Sequence, residues 1–153
     1  MARTERKEVG HFICSRTVAQ RLKQAGVPQE SMFYWYRACR SQDYVVRFGD
    51  ERHGTEKLDA KSKVSAFTAD ELVSMLPSHI SQGDGEELLG LSIEKEYDSS
   101  SRESFEYLST FSCRDSYSGF CSVRGHDFVD SIALSLLVLL DTHSLGVNDL
   151  IIS

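Results

Sequence analysis

Four aromatic rings stand side by side in Ser31-Met32-Phe33-Tyr34-Trp35-Tyr36-Arg37, and Arg40 and Arg47 follow close behind. Rings beside guanidinium groups could grip a ligand such as a base or a sugar, stacking on its flat face while the cations meet its charge. At the two-residue period of a strand, Phe33 and Trp35 share one face, and Met32, Tyr34 and Tyr36 share the other. Core packing accounts for Phe33 and Trp35 without any ligand. Tyr34 and Tyr36 tolerate a wet rim through their hydroxyls, so with Arg47 they are the candidate ligand-binding residues. Glu30 and Asp43 flank the run and work against an anionic ligand.

Other chemistries are weaker on spacing. Cys113, Cys121 and His126 read C-x7-C-x4-H. Structural zinc prefers ligand pairs that one turn can hold, and no fourth ligand is evident, so neither a metal site nor a cofactor is expected. Cys14 stands just ahead of a helix start, which can lower a thiol pKa, but the sequence shows only that half of the argument, and an unreactive thiol is expected. The histidines at 11, 53, 79, 126 and 143 fall in loops or at element ends. None lies in a nucleophile motif such as GxSxG, so no catalytic residue is assigned. GxxxxGK[ST] is absent, as is GxGxxG after a strand, and QGDGEE follows its glycines with carboxylates that repel phosphate. Asp84, Glu86, Glu87, Glu94 and Glu96 read as solvated surface.

The elements that must carry these residues follow from patterning. Ser15 is an N-cap, and Val18, Leu22 and Ala25 in RTVAQRLKQAG mark one apolar stripe on a short helix. Gly26 ends it in a left-handed turn and Pro28 prevents its return. Strands are expected over 32–38 and 44–48 as an antiparallel hairpin. Residues 49–63 read as a solvated loop. Thr68 and Glu71 match a capping box for a second helix with Leu72, Val73 and Leu76 on its apolar face, ended near Pro77. HISQGDGEE reads as a loop, and strands follow over 88–97, 105–112 and 117–123. A third helix is expected over 127–142, apolar around most of its circumference. Helices of that kind lie centrally or at an oligomer interface. Asp130 and Asp141 occupy its remaining sector, and Asp130, Leu134, Val138 and Asp141 are the candidate interface residues. The apolar tail LGVNDLIIS is expected to pack back or to form an edge strand.

The order α-β-β-α-β-β-β-α predicts an α+β fold, with an antiparallel sheet of about five strands and three helices packed on it. The 153 residues make one domain, 1–153, with residues 1–11 loosely held. At 41% hydrophobic and 26% charged residues the composition is globular rather than disordered. With 17 basic against 23 acidic residues and a net charge of −6, a nucleic-acid partner is disfavoured, because phosphate neutralisation dominates such binding. The N-terminus lacks the apolar core of a signal peptide, and no run reaches the roughly 18–20 apolar residues of a membrane span. An intracellular protein without a membrane association is expected, its four cysteines kept as thiols.

Several segments together resemble a group of small uncharacterised proteins encoded by tailed bacteriophages and prophages. They are VAQRLKQAGVPQESMFYW, FTADELVSMLP and, loosely, the last helix after its strand. About half the chain is covered, with GVPQES-x-FYW the most specific part. The middle loops here are longer and more charged than in that group, and the last helix lacks the group's aromatic or basic finish. The resemblance implies an α+β fold, a phage or prophage origin and hence the cytoplasm of a bacterial host. It brings no activity and no functional residues. The leading expectation is a non-enzymatic accessory protein that binds another protein or itself. The alternative is a small-molecule or nucleotide binder, for example one that interferes with host defence signalling, using the aromatic strand. An enzyme with a dispersed active site is the third.

Overall fold

The computed structural model describes residues 12–49, 57–82, 85–97, 105–113, 119–142 and 145–151. In chain order these form α1 (Arg16–Gln24), β1 (Phe33–Ala38), β2 (Tyr44–Phe48), β3 (Leu58–Ser65), α2 (Ala69–Met75), β4 (His79–Gln82), β5 (Gly85–Tyr97), β6 (Phe105–Cys113), β7 (Gly119–Gly125), α3 (Phe128–Asp141) and a 3-10 turn (Val147–Asp149). The fold is α+β and its sheet pairings are antiparallel. Two sheets replace the single one expected. One runs β2-β1-β3; in the other, β6 and β7 continue β5, and β4 adds to the first four residues of β5. The extra strands are β3, most of which falls in the segment 49–63 read as a loop, and β4, in HISQGDGEE, whose last residues also begin β5 at Gly85 rather than at Leu88.

Local chemistry explains the ends of the elements. Ser15 Oγ accepts the Val18 amide at the start of α1, and Gly26 takes φ +89° just past its end, a left-handed turn suited to glycine. Thr68 and Glu71 complete the capping box of α2. The buried face of α2 is Leu72 and Met75, whereas Val73, expected there, is 43% exposed. Position 75 lies three residues from 72, on the same helical face, and position 73 does not.

Nine of the 14 residues of α3 are buried. The helix packs on β6 and β7 on one side and meets α1 and α2 on the other. A central place in the fold therefore explains its apolar circumference. Contact with the sheet is close because the residues there are small. A Cβ added to Gly125 would stand 3.2 Å from Ser131 Cα. The Ser109 and Ser131 hydroxyls lie 2.7 Å apart within this buried seam. The core joins Val18, Leu22, Val64, Phe67, Leu72 and Phe111 to Ile132, Leu136 and Leu139, with Trp35 partly buried against it. After α3 the tail packs back: Leu145 and Leu150 are buried, and the Ile151 amide donates to Met75 O at 2.8 Å.

Candidate functional site

The β1–β2 register places Tyr34 directly opposite Arg47 and Tyr36 opposite Val45. Side chains alternate across a strand, so Tyr34, Tyr36 and Arg47 share one face of the small sheet. Their binding features are largely engaged within the protein. The Tyr34 hydroxyl accepts the Ser31 amide at 3.2 Å, and Lys63 Nζ sits 4.1 Å above the Tyr34 ring. Tyr36 is only 5% exposed, and Arg47 Nη1 donates to the Val46 carbonyl.

The opposite face carries Phe33, Trp35 and Arg37 with their partners Phe48, Val46 and Tyr44. Between this face and α1 lies a cleft of about 620 Å³, lined by Gln20, Lys23, Arg37, Tyr44, Asp59 and Lys61 among others. A break in strand pairing builds it. Trp35 pairs with Val64 while Arg37, two residues on, pairs with Asp59, so β3 bulges over five positions. Bulges of this kind re-aim side chains. Ser62 patches the gap: its Oγ accepts the Arg37 amide at 2.7 Å, and its hydroxyl donates to the Asp59 carbonyl at 2.6 Å. The bulge brings Arg37 Nη2 to 2.8 Å from Asp59 Oδ2, while Asp59 Oδ1 accepts the Lys61 amide at 3.0 Å. The hydrogen bond from Arg37, seconded by the Lys61 amide, holds the Asp59 carboxyl below the ordinary carboxylate range. These side chains remain 42% and 26% exposed, so solvent screens the pair. Arg37 Nε, in contrast, is buried and has no hydrogen-bond partner among the described residues.

Among the described residues, Lys23, Arg37 and Lys61 bring three positive charges to the cleft against one carboxylate, Asp59. Lys23 reaches across from α1, donating one of its hydrogens to the Lys63 carbonyl at 3.0 Å. Arg16 stacks its guanidinium 3.8 Å above the Tyr44 ring. The arrangement can hold an anion beside a polar, hydroxyl-rich group. Of these residues, only Arg37 was among the arginines that the sequence brought forward. Asp59, Lys61 and Ser62 lay in the segment read as loop. Their signal was the alternation of Leu58, Ala60, Ser62 and Val64 with Asp59, Lys61 and Lys63.

A second, smaller groove of about 360 Å³ is lined by Glu30, Met32, Asp70, Glu71, Met75 and Ile151 among others. Glu71 spans its base. Oε1 accepts the Met32 amide at 2.7 Å, and Oε2 accepts the Ser31 hydroxyl at 2.9 Å and the Thr68 amide at 2.8 Å.

The remaining candidates have structural surroundings. Asp130, Leu134 and Val138 are half-buried and Asp141 is exposed; together they form the least buried strip of α3. Asp130 Oδ1 accepts the Ser15 amide at 2.7 Å, and Leu134 packs against the core. Cys14 is fully buried, and desolvation pushes its thiol up to about 12, which makes it unreactive at neutral pH. His79 contacts Ser78, and exposed His126 lies 3.7 Å from Glu106. His11, His53, His143 and the side chains of Cys113 and Cys121 lie outside the described residues. Among the described residues no three His, Cys, Asp or Glu side chains group as metal ligands, and no helix is long and apolar enough to cross a membrane. No family model, curated protein or solved structure matches the chain.

Proposed function

We propose that this is a non-enzymatic binding protein that takes a small anionic ligand in the cleft between α1 and the β2-β1-β3 sheet. The observation that carries this reading is the convergence of Lys23, Arg37 and Lys61 on one cleft in a chain whose net charge is −6. Its volume falls in the range of small-molecule sites. This reading keeps the aromatic strand as the ligand-binding element but moves the ligand to its Arg37 face, away from Tyr34, Tyr36 and Arg47. It is compatible with an accessory role in a phage or prophage, acting in the bacterial cytoplasm, as the GVPQES-x-FYW pattern implies. Thermal melts against an anion panel at fixed ionic strength test it. A bound anion at about 100 times its Kd adds ~2.7 kcal/mol of stability. The shift should vanish in Arg37→Gln. If no anion raises the melting temperature beyond a chloride control, the reading fails.

Binding to a protein is the second reading. Met32, Phe48 and Ile151 favour it, exposed by 50%, 54% and 52%, with Met32 and Ile151 lining one groove. In that case Met32→Glu and Ile151→Glu would abolish a stoichiometric complex in native mass spectrometry, and Arg37→Gln would leave it intact. Loss with Arg37→Gln alone would remove this reading.

A further inference from the structure

We infer that the ligand of the α1–β3 cleft is a phosphate monoester, and that Asp59 is a built-in competitor for its place on Arg37. The inference rests on the anion-binding reading above and narrows it. Among the described residues, three cations and one carboxylate leave the cleft lining two charges positive, which a dianion balances. A phosphoryl group presents three oxygens, one for each of Lys23, Arg37 and Lys61, whereas a carboxylate has two. Arg37 is a fork suited to paired oxygens, yet Asp59 meets it through a single 2.8 Å contact. Asp59 itself is paired with Arg37 at the edge of the bulge in β3, and is held at its other oxygen by the Lys61 amide. The Asp59 side chain is 26% exposed, so rotation about its own side-chain bonds can carry the carboxylate off Arg37 towards solvent while the backbone stays paired. The cleft's roughly 620 Å³ exceeds what inorganic phosphate would fill, and the Gln20 and Gln24 amides supply hydrogen-bonding groups for a hydroxyl-bearing remainder. That remainder makes the ligand an ester.

Isothermal titration at constant ionic strength tests this with glucose 6-phosphate, AMP, inorganic phosphate, glucose 6-sulfate and citrate. Both phosphate esters should bind at least ~10-fold more tightly than the singly charged sulfate ester, given the second negative charge set against three cations. AMP binding alone would mark a nucleotide, and equal binding of both esters would mark the phosphoryl group as the recognised part. Asp59→Asn should tighten phosphate-ester binding ~10-fold, as expected when a competing charged hydrogen bond is removed. Asp43→Asn, a nearby neutralisation outside the cleft lining, should change it less than ~2-fold. Lys61→Gln, at an exposed position, should weaken binding and provides a check independent of Arg37. Weaker binding in Asp59→Asn would make Asp59 a positioning residue and overturn the competitor. Equal or tighter binding of citrate or the sulfate ester would overturn the ligand class while leaving anion binding in place. Silence from every anion, in wild type and Asp59→Asn alike, would remove both readings.

Discussion

Replacing Glu71 by alanine should destabilise the protein far more than loss of a helix cap. A cap alone is worth about 1 kcal/mol. Glu71 also ties α2 to the start of the aromatic strand, because its two oxygens accept the Met32 and Thr68 amides and the Ser31 hydroxyl at 2.7–2.9 Å. Hydrogen bonds to a charged acceptor contribute about 1.5–3 kcal/mol each. The site is half-buried, so water can replace part of what is lost. The expected cost is ~3 kcal/mol for Glu71→Ala, which at about 2–4 °C per kcal/mol for a chain of this size lowers Tm by ~6–12 °C. Glu71→Gln keeps one acceptor oxygen and should lose about half as much. Differential scanning calorimetry and urea melts provide the measurement, with a lower midpoint at unchanged m-value. Asp70→Ala is the control, since exposed Asp70 contributes only its charge to the first turn of α2. A Glu71→Ala protein melting within ~2 °C of Asp70→Ala would refute the hub reasoning, because it would reduce Glu71 to an ordinary first-turn carboxylate.

Other outcomes follow from burial and close packing. The folded protein retains the Cys14 proton up to about pH 12, whereas the unfolded chain releases it above about 9, so its contribution to stability is full below 9 and is lost as pH rises through 12. Urea melts should show wild type losing ~2 kcal/mol more than Cys14→Ala between pH 8 and 10.5. At pH 8, peptide mapping after brief alkylation should find exposed Cys39 modified and Cys14 intact. Gly125→Val should cost ~1–3 kcal/mol in thermal melts, because its side chain would meet the Ser131 backbone. Phe67→Ala should cost ~3–5 kcal/mol, since Phe67 has no exposed surface. Phe12→Ala, at a position 69% exposed, should change stability by less than ~0.5 kcal/mol.

Elements with strong local chemistry were legible in the sequence. Ser15, Gly26, Thr68 and Glu71 fix the ends of α1 and the start of α2 through side-chain caps and a left-handed turn, which depend on neighbours only a few residues away. The apolar circumference of α3 left a central place and an oligomer interface equally open, and its packing on β6, β7, α1 and α2 gives it the central one. β3 was obscured by its charge. Asp59, Lys61 and Lys63 give it the composition of a loop, while the backbone pairing that makes it a strand comes from β1, 20 or more residues earlier. The division into two sheets was invisible for the same reason, because strand pairing is a long-range choice that no local pattern records. The cleft depends on a bulge that joins Arg37 to Asp59, and a break in register leaves no mark on residue types. Asp130 read as an interface residue because two carboxylates on an apolar helix stand out. Its partner is a backbone amide 115 residues earlier, a group that every non-proline residue possesses.

The central position of α3 also bears on the order in which the chain can fold. The layer built from α1, β1–β3 and α2 packs its apolar side on a helix that begins only at Phe128. During synthesis, at about 5–20 residues per second, that layer would stand on the ribosome for several seconds with Leu22, Phe67 and Leu72 lacking their α3 cover. The bond from the Ser15 amide to Asp130 closes a loop of more than a hundred residues, an entropic cost that the local hairpins do not carry. The first and last parts of the chain therefore complete their native packing together.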